Sequence, residues 1–275
     1  MCKKLAFLFV VLTLSSLTFA QQNQRQSAAG GAQLASETCA FTFTSGAGHG
    51  VTQYCVTANG NIAQFSAVGG NGLPQEFLNG VEPAIEGYGL CDVNSLTPYW
   101  DYAQTASNNW NTATAVATAN SVKITRTTAD GVWQLVQTIT KIPGSKTAFG
   151  AAKIAMAITN LSTTDRLILF NRHANIDAGG TTFNDFDLTQ TTVFGLVPFG
   201  NGNGLSSTAS FVTTAFDFSL AFVMTVPGGP TPCQPFDNQG AQQAFFQGDG
   251  AVDQVFDLDI LPGKTKTVTV TYKAI

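Results

Sequence analysis

The chain has 275 residues, of which 44% are hydrophobic and only 11% charged. Thirteen lysines and arginines stand against seventeen aspartates and glutamates, a formal charge of −4. Basic residues this few exclude a nucleic-acid surface, which needs clustered cations to neutralise phosphates.

Lys3 and Lys4 precede an apolar run from Leu5 to Leu14, broken only by Thr13, and small residues then lead to Ala20. That order predicts a secretory signal peptide over 1–20. The run is too short for a bilayer span, which takes roughly 20 apolar residues. Its removal takes Lys3 and Lys4 but no acid, so the formal charge becomes −6. Residues 21–37, QQNQRQSAAGGAQLASE, are polar and small, and predict a flexible arm.

From residue 38 the chain reads as strands separated by turns. Runs rich in Val, Ile, Thr and Phe occupy 38–44, 51–58, 62–68, 121–127, 132–140, 149–159, 166–172, 191–197, 218–226, 253–260 and 266–273. Asn59-Gly60 and Asp130-Gly131 are turn dipeptides that tolerate positive φ, and the second is the strongest hairpin signal. The pattern TVTVTY places Val268 and Val270 on one face and threonines on the other, as in a sheet with one wet side. Residues 103–120 are Ala-rich but interrupted by Thr and Asn, and read as a loop or poor helix. No long amphipathic helix is present in the pattern. The expectation is an all-β chain: one large antiparallel β-sandwich over 38–275.

Cys2 leaves with the signal, so Cys39, Cys55, Cys91 and Cys233 remain. Four cysteines in an oxidising compartment predict two disulfides, with three connectivities open. Short strands around a Gly-rich turn favour Cys39–Cys55, with Cys91–Cys233 following. The expected localisation is secreted, extracellular or periplasmic, without a membrane span.

Residues 86–110, EGYGLCDVNSLTPYWDYAQTASNNW, hold Tyr88, Tyr99, Trp100, Tyr102 and Trp110, five of the eight Trp and Tyr residues. Glu86, Asp92 and Asp101 are interleaved with them. The stretch has turn signals and little strand period, and reads largely as loop. Rings beside carboxylates suit sugars, whose apolar faces stack while their hydroxyls bond polar groups. These eight residues form the expected ligand-binding set. The competing reading is a lid over the open end of the sandwich. For an enzyme, Glu86, Asp92 and Asp101 are the first carboxylates to test.

The stretch 170–189 concentrates Arg172, His173, Asp177, Asn184, Asp185 and Asp187. Oxygen ligands from Asp177, Asn184, Asp185 and Asp187 suit calcium, although no EF-hand spacing is present. A transition metal on His173 has only His49 as a histidine partner, against the two or three usual in catalytic zinc sites. Asp185 and Asp187 would share a strand face as a carboxylate pair. The plainest reading is a solvated connection stabilised by Asx turns. In GDGAVDQVFDLD, alternation places Val255, Asp257 and Asp259 on one face and Phe256, Leu258 and Ile260 on the other.

The segments AITNLSTTDRLILFNRHANID and DLDILPGKTKTVTVTYKAI resemble the later strands of large secreted β-sandwich modules of Ig-like and supersandwich type. The resemblance spans about a third of the chain and implies architecture, not activity. The functional expectation is an exported, non-catalytic sandwich that binds an extracellular ligand, carbohydrate above others. The alternatives are a structural surface or fibre subunit that self-associates through its arm, and a carbohydrate-active enzyme of supersandwich type.

Overall fold

The computed structural model describes residues 39–46, 50–68, 74–78, 86–103, 107–180, 183–189, 191–196, 204–210, 217–224, 231–234 and 245–275. The expected signal peptide and arm, 1–37, lie outside them. The architecture is all-β and antiparallel, a sandwich. Among the described residues no helix is long and apolar enough to cross a membrane.

β1 (Phe41–Ser45), β2 (Thr52–Val56), β3 (Ile62–Val68) and β4 (Pro74–Leu78) form a four-stranded meander. β5 (Glu86–Asp92) and β6 (Thr97–Tyr102) pair as a hairpin. β7 (Thr114–Ala117), β8 (Ser121–Thr127), β9 (Trp133–Ile142) and β10 (Ala151–Asn160) form a second meander. β11 (Arg166–Asn175) then crosses to the opposite layer and pairs with β5. β12 (Asn184–Leu188), β13 (Thr192–Leu196) and β14 (Gly204–Ser210) extend the second meander's sheet, and β15 (Phe218–Met224) crosses back. β16 (Phe245–Gly248), β17 (Ala251–Ile260) and β18 (Thr265–Ala274) complete the two layers.

The large sheet has the order β16-β12-β13-β14-β18-β10-β9-β8-β7, and the facing sheet the order β15-β17-β11-β5-β6. Period-two alternation explains the packing. On β18, Val268, Val270 and Tyr272 are buried while the intervening threonines are not. On β10, Ala152, Ile154, Met156 and Ile158 point inward, and on β11 and β17 Ile168, Phe170, Phe256, Leu258 and Ile260 meet them. Each such Val, Ile, Leu, Met or Phe side chain contributes roughly 1.5–3 kcal/mol on burial. Phe43, Tyr54 and Phe65 of the four-stranded sheet belong to the same core.

The turn chemistry works as expected at Asp130-Gly131. Gly131 has φ 71°, and Asp130 Oδ1 accepts bonds from the Val132 amide (3.0 Å) and the Thr128 hydroxyl (2.6 Å). Two of the crossovers between layers, β10 to β11 and β17 to β18, meet at Asn160. Its Nδ2 donates to the carbonyls of Ile260 and Thr164, both at 2.8 Å. Both expected disulfides are present, Cys39–Cys55 and Cys91–Cys233.

Two expectations fail. Residues 86–110 are not mainly loop, because β5 and β6 take up 86–92 and 97–102. Residues 103–120 contain a strand, β7, at the edge of the large sheet. In both stretches the polar and small residues mask the alternation that marks a strand.

Candidate functional site

The five-stranded sheet has two polar faces that differ in kind. The inner face is a bonded network between the layers. Glu86 Oε1 accepts from Arg172 Nε (2.6 Å) and the Tyr272 hydroxyl (3.0 Å), and Oε2 accepts from the Ile62 amide (2.5 Å). Arg172 also donates to Gln137 Oε1 (2.8 Å) and to the Gly60 carbonyl (3.1 Å). Asp101 is paired with Arg126 and accepts from Asn61 Nδ2 (2.6 Å) and Asn59 Nδ2 (3.1 Å). Arg126 further donates to the Tyr88 hydroxyl (2.9 Å) and lies over the Trp110 ring, 5.6 Å from its centroid. Asp92 is paired with Arg166 at 2.5 Å. Burial pushes the Glu86 carboxyl up to about 7, while Arg172 and the Ile62 amide pull it down. Each carboxylate is supplied with donors from distant strands, which is what permits its burial.

The ligand-binding set therefore divides. Glu86, Tyr88, Asp92, Tyr99, Asp101 and Tyr102 are all buried, and only Trp100 and Trp110 reach partial exposure. Trp110 packs edge-on against Tyr88 and Tyr99 at 5.6 and 6.1 Å, closing the core. Alternation along β6 sends Tyr99 and Asp101 inward and Trp100 and Tyr102 to the outer face.

That outer face is the candidate site. Residues opposite one another in an antiparallel pair share a face. One row across the sheet is Phe222, Asp253, His173, Gly87, Tyr102. The next is Leu220, Val255, Asn171, Gly89, Trp100, and the third is Phe218, Asp257, Leu169, Cys91, Pro98. The first row is buried. The third is open, with Phe218 at 41% exposure and Asp257, Leu169 and Pro98 half-buried. A shallow cleft lined by Asn94, Asp165, Arg166, Leu167 and Asp259 continues the open end.

Unmet hydrogen-bonding capacity is concentrated on this face, whereas on the inner side the carboxylates are bonded and unpartnered atoms such as Trp110 Nε1 and Gln254 Oε1 are scattered. Asn171 Nδ2 donates to Asp253 Oδ1 at 3.0 Å. Asp253 Oδ2, Asn171 Oδ1, Asp257 Oδ1 and both nitrogens of His173 are buried without a hydrogen-bond partner. His173 meets the Tyr102 ring edge-on at 6.0 Å. Burial drives the His173 imidazole down to about 3 and the Asp253 carboxyl up to about 8. Both are therefore neutral at pH 7. Burial also raises the Asp257 carboxyl, helped by Asp217 and Asp259.

The disulfide fixes what lies over the second row. Cys91 is on the outer face of β5, and its bond to Cys233 brings Pro232 down onto Gly89. A Cβ at Gly89 would stand 2.4 Å from Asn171 Oδ1 and 2.7 Å from both Pro232 Cγ and the Tyr102 hydroxyl oxygen. Only glycine allows that approach.

The expected calcium ligands on β12 are divided between its two faces. β12 turns Asn184 inward and Asp185 and Asp187 outward, because neighbours on a strand face opposite ways. Asp185 accepts from Gln247 Nε2 (2.6 Å), and Asp187 from the Leu188 amide (2.8 Å). Asp177 is buried beside the short 3-10 turn Ala178–Gly180. Among the described residues no group of three or more His, Cys, Asp or Glu side chains is placed to hold a metal ion. His49, the histidine partner considered for His173, lies outside the described residues.

Asn171, His173, Phe222, Asp253 and Asp257 were not in the expected binding set. The alternation of β11 and β17 was legible, but their pairing across some eighty residues was not.

No protein-family model matches the chain, and no curated protein sequence does. The fold is similar to part of a bacterial glucoamylase solved with acarbose, at a TM-score of 0.51 and 8% identity, over 87% of this chain and 32% of that one. The chain thus spans about a third of that enzyme's length. Weaker likenesses include the Slr1438 protein from Synechocystis sp. PCC 6803 (TM-score 0.47, 9% identity, 87% and 97% covered). Another is a putative aldose 1-epimerase from Escherichia coli K12 (TM-score 0.39, 10% identity, 86% and 99% covered). At these identities the likeness establishes the fold alone.

Proposed function

We propose that the protein is an exported, carbohydrate-associated β-sandwich that holds its ligand on the outer face of the five-stranded sheet. The observation that carries this reading is the contrast between the two faces. Every inner carboxylate is bonded, whereas the outer face keeps five buried polar atoms on Asn171, His173, Asp253 and Asp257 without partners. Buried polar groups are normally satisfied, so such a cluster needs a bonding partner from outside the protein. The same face supplies Trp100, Pro98, Leu169, Leu220 and Phe218 as a half-open apolar floor. A sugar presents the complementary pair of surfaces, an apolar ring face and a rim of hydroxyls. The glucoamylase likeness supplies the fold; the reading rests on these side chains. The predicted signal peptide and the two disulfides support export.

The test is a glycan-array binding assay on the secreted protein with Trp100→Ala and Asn171→Ala beside it. Binding that weakens at least tenfold in both variants, with melting temperatures unchanged, supports the reading. Binding that survives both substitutions moves the ligand off this face.

A second reading, assembly into a larger structure, is favoured by β7. This edge strand of the large sheet, TAVA, is exposed throughout, carries no charge and shows Val116 at 70% exposure. Such an edge invites strand addition. Deleting residues 21–37 would abolish oligomers under that reading and leave sugar binding intact under the first.

A further inference from the structure

We infer that the outer face takes neutral sugars and turns away sugar acids, and that Asp257 sets this selection. The inference rests on the binding reading above and names its ligand class. β17 sends Asp253, Asp257 and Asp259 to one side, each separated by an inward residue from the next position on that face. Asp253 is fully buried with Oδ2 unpartnered, and Asp257 follows two rows outward, beside the apolar floor.

Among the described residues no lysine or arginine is paired with Asp253 or Asp257. Between 39 and 275 the chain has ten lysines and arginines, and all ten are described. Arg126 and Arg172 lie on the inner side, held by Asp101 and Glu86. Lys266 is held by Asp217. Arg166 lines the cleft beside Leu167 and Asp259, but its Nη1 is already on Asp92. Lys123, Lys153 and Lys273 stand exposed on the far side of the large sheet, opposite Thr138, Thr271 and Ser206. Lys141 lies at the end of β9, and Lys146 and Lys264 lie in connections.

A neutral sugar can donate hydroxyl protons to the unmet oxygens of Asp257 and Asn171. A uronic acid brings a second carboxylate into a half-dry face where the existing one has no counter-ion. Like charges placed together across an interface are a strong element against the wrong partner. The effect is electrostatic and weakens with salt.

The probes are hexamers of glucose, galactose and mannose and the hexamers of their uronic acids, measured side by side at low and high salt. The expected result is at least tenfold weaker binding of the acidic member of whichever pair binds, with the gap narrowing at high salt. Asp257→Asn should shrink that gap at least threefold, each variant's affinity for the acidic hexamer being read against its own affinity for the neutral one. Asp257→Ser, with melting followed in both, separates charge from packing. Equal or tighter binding of an acidic hexamer overturns the inference and leaves the binding reading standing. An undiminished gap in both Asp257 variants overturns the role of Asp257. If no hexamer binds in any series, the inference and the reading beneath it fall together.

Discussion

Arg172 and His173 are adjacent in the chain and face opposite sides of one sheet. Arg172 points inward and is bonded to Glu86, Gln137 and the Gly60 carbonyl. His173 points outward, opposite Asp253, with neither ring nitrogen bonded. One peptide unit separates a saturated structural group from an unsatisfied one. A one-residue slip of β11 would exchange them, burying an unpaired guanidinium on the outer face, so the register is strongly specified.

The inner pair should dominate stability. Arg172→Met leaves the Glu86 carboxyl buried without its cation and is expected to destabilise by about 3–5 kcal/mol. The double variant Glu86→Leu with Arg172→Met should recover most of that loss, since an apolar pair avoids the desolvation of both charges. Urea midpoints decide it. A single variant within about 1 kcal/mol of the parent would show that the pair is not what holds β5 against β11.

The outer pair predicts opposite pH limbs. His173 is depressed in the folded state, so its contribution is complete above about pH 6.5 and is lost as pH falls toward 3. Asp253 is raised, so its contribution is complete below about pH 3.8 and is lost as pH rises through 8. Between these limits the two slopes oppose. Relative to the parent, Asp253→Asn should gain stability as pH rises from 3.8 to 8, and His173→Gln should gain it as pH falls from 6.5 to 3. Chemical denaturation across pH measures both differences; flat differences would mean that the two groups are solvated in solution.

The two disulfides should differ in weight. Cys91–Cys233 closes a loop of 142 residues and Cys39–Cys55 one of 16. In the chain-entropy model that is about 5 against about 3 kcal/mol. Calorimetry of the two double-serine variants should show the larger fall in melting temperature for Cys91→Ser with Cys233→Ser. The reverse order would count against Cys91–Cys233 as the main staple of the outer face.

Gly89→Ala tests the contact beneath Pro232. The added methyl meets Asn171, Tyr102 and Pro232 inside van der Waals distance, so a loss of about 1–3 kcal/mol is expected. Gly131→Ala gives a contrast, because its Cβ would meet nothing within 4 Å and only the positive φ resists it. Thermal melts that leave Gly89→Ala at the parent value would remove Pro232 from the outer face.

The sequence by itself determined the fold class, eleven of the strands to within a few residues, the Asp130-Gly131 turn and the number of disulfides, while their pairing was favoured but left open. These rest on local rules: period-two alternation, positive-φ turn residues and cysteine parity. The inward set Phe256, Leu258 and Ile260 was legible for the same reason. Tertiary structure alone decided the rest. β5 carries Glu86 and Asp92 into the interior, which no local pattern permits; Arg172 and Arg166, more than seventy residues away, make it permissible. The aromatic residues of 86–110 looked like a surface because Tyr and Trp beside carboxylates are equally a sugar platform and a buried ion network. Which one they form depends on the partner strand, and pairing between β11 and β17 or β5 is a long-range choice that the chain writes nowhere locally. The outer face exists only once those three strands stand side by side.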